Sequence, residues 1–176
     1  RACTCACESS LSLSSWALLH LPARMRWGKV RPSALPDAGL GLFANTWLPQ
    51  GVVLPPYRGA AVSLVEAGAH TERGPETAYL WCPLESDSRL RDGRAKRGLA
   101  PLGPRPCVDA RPVLEGNPAR YVNGARNQDQ CKAVNLEMCE LGGVMYFRTT
   151  RPVPQGSELM TRYGTGYWAD FGDCSG

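Results

Sequence analysis

Several features are missing from this chain of 176 residues, and each absence excludes something. No apolar run is long enough for a bilayer. The best candidate, Leu11 to Leu21, is interrupted by Ser, Trp and His and falls short of the roughly 20 residues a membrane helix needs. That run also lacks a preceding charged region and a clear cleavage site, so neither a signal peptide nor a membrane association is expected. Charge of one sign is not in marked excess: the net charge of +4 permits an acidic partner without requiring one. No segment repeats at a fixed period, which argues against solenoids and propellers. Sustained helical periodicity is scarce, and 19 Gly with 15 Pro argue for many turns and against a helical bundle. The chain opens at Arg1 without Met and is read as a fragment of a longer protein with further domains.

What is present is a core and scattered cysteines. Apolar residues make up 43% of the chain, enough for one domain that buries roughly 70% of its unfolded surface. The eight cysteines lack the spacing of a small disulfide scaffold. Cys82, Cys107, Cys131, Cys139 and Cys174 are dispersed through a chain that needs no staples, so reduced intracellular thiols are expected. Cys3, Cys5 and Cys7 have the look of the end of a zinc cluster. Zinc takes four ligands, however, and no second Cys/His group with ligand spacing follows. A frayed tail over residues 1–20 is the plainer reading, with no metal expected in this chain.

Beyond the tail the pattern is of short strands separated by turns. Lys29 to Arg31 reads as a strand, residues 32–37 as a turn, and Ala38 to Ala44 as Gly alternating with apolar residues. Pro49-Gln50-Gly51 turns into an extended run from Val52 to Tyr57. A short helix is expected over Ser63 to Ala69 and a buried strand over Thr77 to Cys82. Residues 89–106 hold six of the 20 basic side chains with three Gly and three Pro, and read as a solvated loop inside the domain. A nucleic-acid or nuclear-targeting role for that loop is the alternative. Asn117-Pro118 predicts an N-cap with Pro at N1, one or two helical turns to Val122, and Gly124 as the end. Arg126 to Lys132 reads as a polar loop. Val134, Leu136 and Met138 alternate with Asn135, Glu137 and Cys139, then Gly142-Gly143 turns and Val144 to Thr149 returns, the clearest hairpin in the chain. Pro154-Gln155-Gly156 turns again into a strand over Glu158 to Arg162. The fold class is mostly β.

Two stretches dominate the functional reading, Arg120-Tyr121-Val122-Asn123-Gly124 and Glu158-Leu159-Met160-Thr161-Arg162-Tyr163-Gly164. They close an ordered series. It runs from Arg31-Pro32-Ser33 with Ala38-Gly39-Leu40-Gly41-Leu42-Phe43, through Pro56-Tyr57-Arg58-Gly59 and Tyr79-Leu80-Trp81, to Val108-Asp109-Ala110, Asn117-Pro118-Ala119 and Tyr146-Phe147-Arg148-Thr149. Taken in this order, from about Leu21 to Phe171, the series resembles a SET domain, and within that superfamily it is most similar to the PR branch. The resemblance implies a SET-type β-clip fold of several short-stranded small sheets, with a few short helices and a knot-like C-terminal arrangement. The division it implies is a tail at 1–20, a domain at 21–171 and a tail at 172–176.

It also implies transfer of a methyl group from S-adenosylmethionine to a lysine, with a histone tail as the substrate and the nucleus as the compartment. A free lysine has a pKa near about 10.4 and must lose its proton to attack. A dry, narrow channel favours the neutral amine and aligns it, and aromatic walls tolerate a methylammonium by cation–π attraction. By position in the motifs, Tyr163 resembles the active-site tyrosine, with Tyr57 and Phe147 as the other channel walls. Cofactor contacts carry over to Ala38, Gly39, Leu40, Tyr79, Asn123 and Gly124. The peptide would lie beside Glu76, Thr77, Ala78, Leu80, Trp81 and Cys82, added to a strand edge. Residue by residue there is a plainer alternative: core aromatics for Tyr57 and Phe147, a tight turn for the Gly-x-Gly, and a helix-ending Asn bonded to its own backbone for Asn123.

The departures keep a second function open. Gly124-Ala125-Arg126 follows Asn123 where typical SET enzymes have His-Ser-Cys, and only Cys174 stands where many carry a terminal cysteine cluster. Several members of the PR branch show little activity, so the rival expectation is a non-catalytic chromatin interaction module.

Overall fold

A computed structural model of the chain describes residues 27–63, 65–67, 79–83, 107–112, 116–141 and 143–162. These form nine short strands in small sheets with little helix, the mostly β architecture expected. β1 (Gly28–Pro32) and β2 (Leu40–Ala44) pair antiparallel, with Lys29 opposite Phe43 and Arg31 opposite Gly41. Period-two geometry turns Val30 toward the core and Lys29 and Arg31 outward. β2 is buried from Gly41 to Ala44 because residues 157–159 cover its other edge. There Ala44 N–H donates to Ser157 O at 2.8 Å and Leu159 N–H to Leu42 O at 2.7 Å. The connection between β1 and β2 closes with Ser33 N–H donating to Gly39 O at 2.9 Å, which needs the left-handed φ of 67° at Gly39.

A second sheet has the order β3-β5-β4, from β3 (Ala60–Val62), β4 (Leu80–Trp81) and β5 (Cys107–Asp109). β5 is central, and a Cβ on Gly59 would collide with the backbone of Asp109. β7 (Leu136–Leu141) and β8 (Val144–Thr149) form the expected hairpin, with Gly143 before β8 at a left-handed φ of 74° and Met138 opposite Phe147. Residues 51–57 run beside β8, bonded through Leu54 N–H to Phe147 O and Tyr57 N–H to Met145 O, both 2.8 Å. β6 (Asn123–Gly124) pairs in parallel with β9 (Met160–Thr161). One core joins these sheets: Leu42, Leu48, Leu54, Leu136, Phe147 and Leu159 are all at most 2% exposed. Each such side chain stabilises the fold by roughly 1.5–3 kcal/mol relative to exposure.

Four expectations need correction. Pro118 does begin a helical stretch, but it is a 3-10 helix, Pro118–Tyr121, and Asn117 makes no capping bond to it. Asn117 is 3% exposed and accepts from Arg58 N–H at 3.2 Å instead, while its amide donates to Arg58 O. The helix ends at Val122 in extended geometry, so Asn123-Gly124 is strand and Gly124 is no helix terminator. The polar stretch 126–132 contains a helix, Gln128–Cys131, started by Asn127 Oδ1 accepting from Gln130 N–H at 2.9 Å. Finally, the cysteines are not all reduced thiols. Cys82 and Cys107, opposite each other where β4 meets β5, form a disulfide, and Cys131 is also disulfide-bonded, whereas Cys139 is buried and not in a disulfide. Of the expected buried strand over 77–82, residues 79–82 are described, and only Leu80–Trp81 are strand, half-buried at the edge of their sheet among the described residues. Of the expected helix over 63–69, residues 65–67 are helical, and Ser63 Oγ accepts from Glu66 N–H at 3.2 Å. The C-terminal end of the proposed knot lies outside the described residues.

No helix among the described residues is long and apolar enough to cross a membrane.

Candidate functional site

Three segments far apart in sequence meet at one polar cluster: the turn 33–41, β6 and residues 158–161. Strand pairing brings them together. The isolated bridge Phe43–Glu158 sets Glu158 beside β2, and the parallel register puts Asn123 opposite Met160. Glu158 then reaches across the turn. Its Oε1 accepts from Ser33 Oγ at 2.7 Å and from Asn123 Nδ2 at 3.0 Å, and its Oε2 accepts from Ala34 N–H at 3.0 Å. Asn123 Nδ2 also lies 3.1 Å from Leu40 O and 3.2 Å from Ser33 Oγ. The cluster leaves no room at Gly41, where a Cβ would collide with the Glu158 carboxylate.

The amide nitrogen of Asn123 is thus committed to protein acceptors, which turns its oxygen away from them. Among the described residues nothing donates to Asn123 Oδ1, and the side chain is half-buried. Asn123 therefore does not bond its own backbone in the manner of a helix-ending Asn. Around it, a Cβ on Gly39 would meet nothing, Leu40 is 46% exposed, and Ala38 N–H closes the turn onto Leu35 O at 3.4 Å. Arg126 Nη1 donates to Pro36 O at 3.2 Å on the far side of the turn. Gly124 is buried in β6 opposite Thr161. Asn123 thus bonds the carbonyl of Leu40, which follows Ala38 and Gly39 in the turn, and Gly124 follows Asn123 in β6.

A second cluster is aromatic. Tyr57 is 9% exposed, and its hydroxyl donates to Tyr79 O at 2.8 Å. Phe147, 2% exposed on β8, belongs to the same core cluster as Tyr57, and Tyr79 and Trp81 pack against that cluster. The guanidinium of Arg120 sits 4.7 Å from the ring centroids of both Tyr79 and Tyr121. It also donates to Ala110 O at 2.9 Å and Arg111 O at 3.1 Å. Arg120 so fixes the face of Tyr79, a case of cation–π contact and main-chain bonding by one planar group. Leu80 and Trp81 are half-buried on β4, which pairs with β5 on one side only among the described residues, and Cys82 is tied to Cys107.

Several sequence candidates are outside the described residues: Tyr163, Glu76, Thr77, Ala78, the loop 89–106 and Cys3, Cys5 and Cys7. Among the described residues no group of three or more His, Cys, Asp or Glu side chains converges in the manner of a metal centre. Reading the sequence missed Glu158, Ser33 and Arg120 as contributors. Their only signal is membership of the ordered motifs, because none has a recognisable spacing to its partners: Ser33 and Glu158 stand 125 residues apart.

The family described as "PR domain zinc finger protein 2, PR domain" matches residues 29–173. Histone-lysine N-methyltransferase set-17 of Caenorhabditis elegans is 25% identical over 143 residues, covering 81% of this chain and 43% of that protein. Histone-lysine N-methyltransferase PRDM16 of Homo sapiens is 27% identical over 143 residues, covering 80% of this chain and 10% of that protein. The chain therefore spans less than half the length of these relatives. Among solved structures, the methyltransferase domain of human PR domain-containing protein 2 superimposes with a TM-score of 0.56 at 23% identity, covering 85% of this chain and 82% of the other. At that identity the likeness speaks for the fold.

Proposed function

The chain belongs to the PR domain family of SET-type folds, and from that premise we propose that it is a protein-lysine N-methyltransferase acting on a histone tail in the nucleus. The single observation that carries the reading is the convergence of the turn 33–41, Asn123 and residues 158–161 on one spot. The family resemblance assigns Ala38, Gly39 and Leu40 of that turn, with Asn123, to the methyl donor. The relatives' names as histone-lysine methyltransferases add to it.

S-adenosylmethionine, when bound, supplies an electrophilic methyl group on a sulfonium. The residues present suit such a group. Asn123 Oδ1 accepts nothing from the described residues and so remains able to accept from an ammonium, the open space at Gly39 lets main chain approach a ligand, and Leu40 offers exposed apolar surface. Ala38, Gly39, Leu40, Asn123, Gly124 and Tyr79 would hold the donor. Tyr57, Phe147 and Tyr163 would wall the lysine channel and exclude water, which lowers the amine's pKa by desolvation and frees its lone pair. Phe147 has no hydroxyl, and the hydroxyl of Tyr57 is held by Tyr79 O. Orientation of the amine by a hydroxyl therefore falls to Tyr163. The single-sided pairing of β4 favours an added peptide strand beside Leu80, Trp81 and Cys82, continuing to Glu76, Thr77 and Ala78.

A second reading, a non-catalytic chromatin module, is favoured by Gly124 in the place of the usual histidine. Calorimetry with S-adenosylmethionine, followed by labelled-methyl transfer to histones, separates the two. Binding with turnover is the expected result. Binding without turnover on any histone would favour the module.

A further inference from the structure

We propose that Glu158 is a positioning residue for the methyl-donor site: its carboxylate sets the Ser33–Gly41 turn and aims Asn123. The inference rests on the methyl-donor reading above and adds a residue to it. Glu158 receives three donors from two segments, Ser33 Oγ at 2.7 Å, Asn123 Nδ2 at 3.0 Å and Ala34 N–H at 3.0 Å. A carboxylate is acceptor-only, so it alone among side chains of this length suits three donors at once. Ser33 Oγ also accepts from Leu35 N–H at 3.0 Å, which passes the constraint into the turn.

The consequence reaches the ligand side through Asn123. An amide has a donor end and an acceptor end, and the acceptors Glu158 Oε1 and Leu40 O fix which end faces the protein. Asn123 Oδ1 is left as the outward group. Replacing Glu158 by Gln keeps the size but swaps one oxygen for an NH2. That NH2 must face either the N–H of Ala34 or the donors at Oε1, so a bond is lost in either orientation. With the NH2 at the Oε1 position the amide of Asn123 is released to rotate and present a donor where an acceptor stood, and with it at the Oε2 position Ala34 N–H loses its acceptor and the turn that carries Leu40 is loosened. Hydrogen bonds to a charged acceptor are worth enough that loss of one corresponds to about a tenfold change in an equilibrium constant. Gly41 is part of the same device, because any Cβ there would displace the carboxylate.

The test measures the dissociation constant for S-adenosylmethionine, the KM for a histone peptide, and the amide hydrogen exchange of Ala34 in the full chain, in Glu158→Gln and in Gly41→Ala. Both variants are expected to bind the donor about tenfold more weakly, to exchange Ala34 faster and to leave the peptide KM within about twofold. A merely structural role would raise both ligand constants together, and that outcome overturns the proposal. Normal donor binding with slow Ala34 exchange in Glu158→Gln overturns it too. Failure of the unsubstituted chain to bind S-adenosylmethionine instead overturns the parent reading, and the positioning role with it. Should Glu158→Gln not fold, Ser33→Ala removes one donor to the Glu158 carboxylate, together with the acceptor of Leu35 N–H and of Asn123 Nδ2. About threefold weaker donor binding is then expected, and unchanged binding refutes the assignment.

Discussion

The hydroxyl of Tyr57 donates to the main-chain carbonyl of Tyr79 at 2.8 Å, and the same carbonyl accepts Ala110 N–H at 3.0 Å. That shared oxygen joins the segment beside β8 to the sheet that carries β4. Tyr57→Phe is therefore expected to cost only about 1 kcal/mol, because Tyr79 O keeps a second donor. Urea denaturation reads the stability, and methyl transfer should fall by no more than a few-fold. A collapse of turnover would mean that the Tyr57 hydroxyl works on substrate.

Arg120 offers a sharper stability test. It is half-buried between Tyr79 and Tyr121 and donates to two main-chain carbonyls. Lys cannot reproduce the planar fork, so Arg120→Lys should destabilise the domain by about 1–3 kcal/mol. The midpoint of chemical denaturation checks this, and Arg120→Ala should be worse.

Asn135 stitches β7 to the approach of β9. It is 4% exposed, donates to Glu158 O at 2.8 Å and accepts from Met160 N–H at 3.0 Å. Asn135→Ala leaves both main-chain groups without that partner in a buried setting. A loss of about 2–4 kcal/mol is expected, measurable by thermal and urea unfolding.

The Cys82–Cys107 disulfide closes a segment of 25 residues between adjacent strands. Loop-closure entropy assigns it about 3 kcal/mol, or a melting temperature roughly 10 °C higher than the reduced chain. Scanning calorimetry of Cys82→Ser/Cys107→Ser against the oxidised chain measures it, and a thiol reductant reads it together with the disulfide of Cys131. An unchanged melting temperature on reduction would show that β4 is held by its ladder alone.

Local patterns were legible and long-range uses of polar groups were not. Gly142-Gly143 between alternating segments announced the β7–β8 hairpin, since a two-residue glycine turn has few other uses. Asn127 followed three residues later by Gln130 was an equally local helix signal, overlooked inside a polar stretch. Asn117 misled because Asn is good at capping, while here it bonds to distant Arg58; the bonds of Asn123 to Ser33, Leu40 and Glu158 were equally invisible in the sequence. No periodicity encodes such partners. Nor does spacing announce the pairing of Cys82 with Cys107, which follows from the register of β4 on β5. The candidate site was readable only as an ordered set of motifs. What joins them, the Glu158 carboxylate, is a property of the fold.

The most direct measurement of the central claim is labelled-methyl transfer from S-adenosylmethionine to histone H3, by the native chain and by Tyr163→Phe side by side. The account predicts transfer by the native chain and a loss of about a hundredfold in the variant, the cost of misplacing a reacting amine. Equal transfer by both would contradict it, because the account gives orientation of the amine to the Tyr163 hydroxyl.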